Sequence, residues 1–270
     1  MTTTTTAVAA RTPSTALTYD PDPTALRPLI TFVAIALPLG WLLLTPPVVL
    51  GLPMEPFVLA VNFLGLLAPA LLLTRRRAGG AGVRALLRDA VRPPRPLWWI
   101  VAAAFALPVT VWTAASALGG AQPLTGSLVS DFLVNLVSMA VIISIWEETA
   151  WAGFVQRRAM ARWGTVNGSL ATVVLFAGIH APLAFQDASS VGDVAHGFAL
   201  LFGTAVGVRL LVAAVDAWSA GSLLTVGVLH AAFNATADVI RPEYDWIRLT
   251  VTVATGVAAV ALLVRSRRTP

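Results

Sequence analysis

The sequence has no cysteine and, among its 18 basic residues, no lysine. The missing cysteine excludes disulfides, thiolate metal sites and a cysteine nucleophile together, and says nothing about compartment. The missing lysine, beside abundant Ala, Arg, Gly and Val, reads as the codon bias of a GC-rich genome. Charge is scarce as well: 11% of the 270 residues are charged, against about 25% in a soluble domain. An ordinary soluble globule is thereby excluded. Disorder is excluded too, because it needs low hydrophobicity and high net charge, whereas 57% of these residues are hydrophobic and the mean hydropathy is +0.80. Walker-type, HExxH and CxxC motifs do not occur. The Gly-rich AGGAG at 78–82 follows no strand, so it reads as loop and not as a phosphate cradle. The pI of 11.1 could point to nucleic acid, but the arginines flank apolar runs and form no single basic face.

What is present is apolar length. A spanning helix needs roughly 20 mostly apolar residues. About eight such runs occur, near 27–45, 56–73, 97–118, 128–154, 167–185, 194–214, 219–238 and 246–264. The fold class expected is an all-α polytopic membrane protein. It would be a bundle of about eight transmembrane helices, forming one domain over 26–270 after a flexible Thr- and Pro-rich tail over 1–25. That tail has no signal-peptide core, so no cleavage is expected.

Arginine placement gives an orientation. The 74–96 loop carries Arg75, Arg76, Arg77, Arg84, Arg88, Arg92 and Arg95; Arg157, Arg158 and Arg162 follow the fourth run, and Arg265, Arg267 and Arg268 the last. With eight spans all three segments share one side with the N-terminus. Counting Arg209 at a helix end, every arginine but Arg241 and Arg248 lies there. That side is expected to be the cytoplasm, and the protein to be integral to the plasma membrane. Within the first basic loop, Val83, Leu86, Leu87, Ala90 and Val91 share one helical face and Arg84, Arg88 and Arg92 the other. This predicts a short helix in the cytoplasmic interface, with Trp98 and Trp99 at headgroup level.

Ionisable groups inside a bilayer are costly and therefore functional candidates. Glu147 and Glu148 stand side by side in the fourth run. Two like charges so close are uncomfortable in a low dielectric and should share a proton, which suits a general acid or base. The bland alternative is a solvated pair at a helix end. His180 closes FAGIH in the fifth run, and alone it could be a hydrogen-bonding residue between helices. His230 and Asn234 are spaced i, i+4 on one face of the seventh run. Two such donors can hold an oxyanion, or simply glue helices. No helix carries two ligand histidines, and the spacing supports no metal and calls for no cofactor.

A Glu-Glu pair, then FxxxH, then HxxxN on successive parts of a polytopic chain resembles the CPBP family. That family takes in type II CAAX prenyl proteases, bacteriocin-processing proteases and ABI-like proteins. Its pattern is EExxxR, FxxxH and HxxxN or HxxxD on a bundle of about eight spans. The resemblance covers residues about 130–238, including GSLLTVGVLHAAFN at 221–234. It implies a glutamate-dependent, metal-independent intramembrane endopeptidase. By that analogy Glu147 and His180 activate a water, His230 and Asn234 stabilise the oxyanion, and Glu148 orients the site or shares its proton. The implied partners are a membrane-associated peptide or protein substrate and the lipid bilayer, without nucleic acid. One position departs from the pattern: the arginine of EExxxR is Ala152 here. Glu148 then loses its expected partner, unless Arg157, Arg158 or Arg209 reaches it through space. Two other classes answer to the same residues. A non-catalytic scaffold or immunity protein would fit Ala152, and a small transporter would fit midplane polar groups, although no repeat relates the halves.

Overall fold

The computed structural model describes residues 20–267, so the tail expected over 1–25 lies outside it up to residue 19. Among the described residues the chain is helical, with one isolated bridge between Ala121 and Ile240 and no strand. Eight helices follow the eight apolar runs: α1 (Leu26–Leu50), α2 (Glu55–Val91), α3 (Trp98–Ala117), α4 (Gly126–Trp163), α5 (Thr165–Ile179), α6 (Val191–Trp218), α7 (Leu223–Val239) and α8 (Pro242–Ser266). All but α5 and α7 are long and apolar enough to cross a membrane. The protein is therefore an all-α polytopic membrane protein.

The two shorter helices correct the expected runs 167–185 and 219–238, and each has a local cause. The helix of α5 stops at His180, whose backbone leaves the helical region, and Pro182 lies in the 3₁₀ turn Ala181–Phe185 that follows. Before α7, Gly221 turns the chain with φ +77°, and the Ser222 hydroxyl caps the new helix by accepting from the Thr225 amide. The α5 end falls on His180 itself, so its shortening shapes the site.

Helix α2 is broken at Gly79, whose φ of 63° and ψ of −165° belong to a region open essentially to glycine. The segment beyond it is the amphipathic helix expected over Val83–Val91. Leu86 and Ala90 are fully buried while Arg84 and Arg88 are exposed. The apolar face meets protein: a Cβ placed on Gly153 would come within 2.9 Å of Leu86 Cδ1.

Lipid is as apolar as leucine, so close backbone approach rather than hydrophobicity holds such helices together. Gly207 and Gly256 supply it between α6 and α8, where a Cβ on Gly256 would meet the Gly207 carbonyl oxygen at 2.6 Å. Gly227 supplies it between α7 and α4, where a Cβ would come within 2.7 Å of Ile145 Cα. Two arginine clasps close the basic end. Arg157 forks onto Asp216 at 2.7 and 3.1 Å, and also donates to Asp89 and the Gly221 carbonyl. Arg158 forks onto Asp20 at 2.6 and 3.0 Å, and Arg77 donates to the same carboxylate. Burial pushes the Asp20 carboxyl up, but Arg77 and Arg158 outweigh it and hold it below its ordinary value.

Candidate active site

The Glu147–Glu148 pair lies within α4, directly before a π-wound stretch, Thr149–Gln156. Wide turns of this kind are frequent at functional sites. Both carboxylates are buried in the bundle and neither is the solvated helix-end pair that the bland alternative required.

Glu148 is fully buried and fully engaged. Its Oε1 lies 2.7 Å from His230 Nδ1 on α7. Arg209 on α6 donates to it with both terminal nitrogens, Nη1 to Oε2 at 3.0 Å and Nη2 to Oε1. A bidentate guanidinium–carboxylate contact combines charge with fixed geometry. Of the three arginines considered as substitutes for the one missing at Ala152, Arg209 is the one that reaches Glu148, and it does so from another helix. One expectation is corrected: Arg209 does not sit at a helix end with the cytoplasmic arginines, but lies inside α6 and is completely buried. Arg157 and Arg158, the other substitutes considered, are spent on Asp216 and Asp20.

Glu147 has a different situation. Its exposure is 9%, and among the described residues its carboxylate makes no hydrogen bond or ion pair. A nearly buried carboxylate without a protein partner is open to a small ligand such as water.

His180 is partly buried, and its Nδ1 is 2.7 Å from the Phe176 carbonyl oxygen one turn earlier. A carbonyl can only accept, so Nδ1 carries the proton. In the neutral ring Nε2 is then a free acceptor. The Phe176 ring joins the motif helices. Its centroid is 4.9 Å from that of His180, 6.0 Å from that of His230 and 5.5 Å from that of Trp151. The Arg209 guanidinium carbon lies 4.3 Å from the same centroid. Asn234 lies one turn beyond His230, half buried, and makes no side-chain hydrogen bond among the described residues.

The structure thus joins Glu148 to His230 directly and links His180 to them through Phe176; no hydrogen bond draws Glu147 or Asn234 into that network. Sequence reasoning underrated Arg209. The available signal was a lone arginine in the apolar run GVRLLVAAV, which by its cost alone should have marked a site. It also passed over Gln156, whose amide donates to the Arg209 carbonyl at 2.7 Å and to Ser169 Oγ at 3.2 Å. No three His, Asp or Glu side chains among the described residues converge as a metal ion would need. A cleft of about 450 Å³ is lined by Trp41, Thr45, Phe198 and, from the turn that follows His180 in the chain, Ala181, Pro182 and Phe185.

Fold and site together define a polytopic helical membrane protein with acid and imidazole groups buried at one place in the bundle. Comparison with known families narrows that class. The family model described as type II CAAX prenyl endopeptidase Rce1-like matches residues 129–236, the stretch that carries all three motifs. The resemblance read from the motifs holds: this stretch is similar to an Rce1-like, CAAX-protease-type domain. The match supports an intramembrane protease of the CPBP type, acting on a peptide or protein within a lipid environment. No curated protein matches the sequence significantly.

Proposed function

We propose that the protein is a glutamate-type intramembrane endopeptidase whose working residues are Glu147, Glu148, His180, His230 and Asn234. The observation that carries the reading is the pairing of an engaged carboxylate with a free one. Glu148 is fixed by Arg209 and His230, while adjacent Glu147 has no partner among the described residues. Fixed groups orient and free groups react.

In this reading Glu147 takes a proton from a water that also donates to His180 Nε2. The water oxygen attacks the peptide carbonyl carbon, and the carbonyl oxygen becomes an oxyanion. Asn234 and His230 donate to it. His230 can do so through Nε2 while its Nδ1 proton is held by Glu148, which requires both ring protons to be present. Collapse of the intermediate breaks the carbon–nitrogen bond, and the proton held by Glu147 passes to the leaving amine. The apolar cleft lined by the turn that follows His180 suits an apolar segment of a membrane-associated substrate. The protein is further proposed to form one helical domain from residue 26 onward, in the plasma membrane with both termini cytoplasmic.

Ala152 had favoured the competing reading, a non-catalytic scaffold. Arg209 removes that argument, since Glu148 keeps a guanidinium. The test is profiling of membrane-peptide termini in cells lacking the protein, complemented with wild type or Glu147→Gln. New termini are expected with wild type and absent with Glu147→Gln. Identical termini with both would reject the peptidase.

A further inference from the structure

We infer that Arg209 is a positioning residue of the site, and that it performs from α6 the task that the EExxxR arginine would perform from within α4. The inference rests on the peptidase reading for its catalytic half and on geometry alone for the rest.

The position vacated by the pattern is Ala152, four residues after Glu148 and on the same helical face. An arginine there would reach Glu148 along its own helix. Instead the guanidinium comes from the side, on a helix that none of the three motifs includes. It grips Glu148 with two donors and lies over the Phe176 ring. It therefore touches the Glu-Glu helix and the FxxxH helix at once, and through Glu148 it bears on His230 of the third. A carboxylate held by a fork cannot rotate, so its remaining acceptor direction is fixed on His230 Nδ1. That in turn fixes the direction of His230 Nε2.

The backbone under Arg209 is anchored with equal care. Gln156 on α4 donates to the Arg209 carbonyl and to Ser169 on α5, tying three helices together beneath the guanidinium. At the far end of α6, Asp216 receives the fork of Arg157. The helix that carries the displaced arginine is thus bolted to α4 at both levels. The orphaned Arg209 Nε makes no hydrogen bond, so the two terminal nitrogens, not the whole group, carry the contact.

The test moves the arginine back. Three purified proteins are compared in detergent: wild type, Arg209→Ala, and Arg209→Ala with Ala152→Arg. Two readouts are taken. One is turnover on a peptide identified by the terminus profiling. The other is the low-field Nδ1 proton of His230 by NMR, which needs no substrate. Arg209→Ala is expected to lower kcat about 100-fold, with KM changed less than about threefold, as for a misplacement of about 1 Å. The His230 proton resonance is expected to vanish with it. The double variant is expected to regain the resonance and at least about a tenth of the lost turnover. A folded Arg209→Ala protein that keeps both readouts would overturn the proposal, and so would a folded double variant that regains neither. Should Arg209→Ala fail to fold, Arg209→Lys replaces it, keeping charge without the fork. Wild-type behaviour of the lysine variant would then overturn the proposal. If proteolysis is indifferent to Glu147→Gln, the peptidase reading falls, while the His230 resonance still decides the role of Arg209.

Discussion

Two acidic residues show how differently one side chain can serve. Glu148 has both carboxylate oxygens engaged, by Arg209 and His230. Glu147, its neighbour, has neither engaged within the described protein. Asp20 is a third case, buried against Arg77 and Arg158 at the basic end. Its carboxyl is held below the ordinary value of 3.8. A depressed carboxylate stabilises the fold above its unfolded value, and the stabilisation is lost as pH falls through the folded one. Thermal unfolding in detergent should therefore show a loss of stability on acidification below about pH 4. Asp20→Asn should abolish that step and cost about 3–5 kcal/mol at neutral pH, because it removes the buried carboxylate onto which Arg158 forks. An unchanged melting temperature for Asp20→Asn at pH 7 would contradict the clasp.

At the scale of elements, the site depends on how closely α7 lies on α4. Gly227 permits that approach one turn before His230. Gly227→Ala would put a methyl group within 2.7 Å of Ile145 Cα, which is backbone and cannot swing away. The helix must then move outward and carry His230 from Glu148. The expected result is a destabilisation of about 1–3 kcal/mol together with a fall in turnover of about 100-fold. Gly65→Ala is the control, since its new Cβ would meet only Val61 at an ordinary 3.7 Å. Equal behaviour of the two variants in melting and peptidase assays would show that α7 has slack. The π-wound stretches of α2 and α4 belong to this scale as well. Asn62, in the first, donates to the Ile143 carbonyl in α4, one turn before the glutamates.

For the molecule as a whole, arginine placement makes the arginine-rich face the one expected to be cytoplasmic. The absence of cysteine makes it testable, since any introduced thiol is unique. Arg95→Cys lies at the arginine-rich end and Thr125→Cys at the opposite end, and both positions are exposed. A membrane-impermeant maleimide added to intact cells should label Thr125→Cys and spare Arg95→Cys, which should react only after the membrane is opened. The reverse pattern would invert the orientation and place the basic clasps outside.

Much of this was legible in the chain alone, because a bilayer reads composition directly. Eight apolar runs became eight helices, and Glu147, Glu148, His180 and His230 stood out because charge and imidazole are expensive in lipid. Turns and caps were legible where glycine or proline forces them, as at Gly79 and Pro182. Pairing was not. Nothing in one dimension says that Arg209, 61 residues from Glu148, lies against it while Arg157 and Arg158, nearer in sequence, turn to Asp216 and Asp20. Motif spacing reports which residues share a helix face, whereas the partner of a buried charge is set by how helices cross. Here small residues such as Gly227 and Gly207 decide those crossings, and so the tertiary structure alone moved the missing guanidinium from one helix to another.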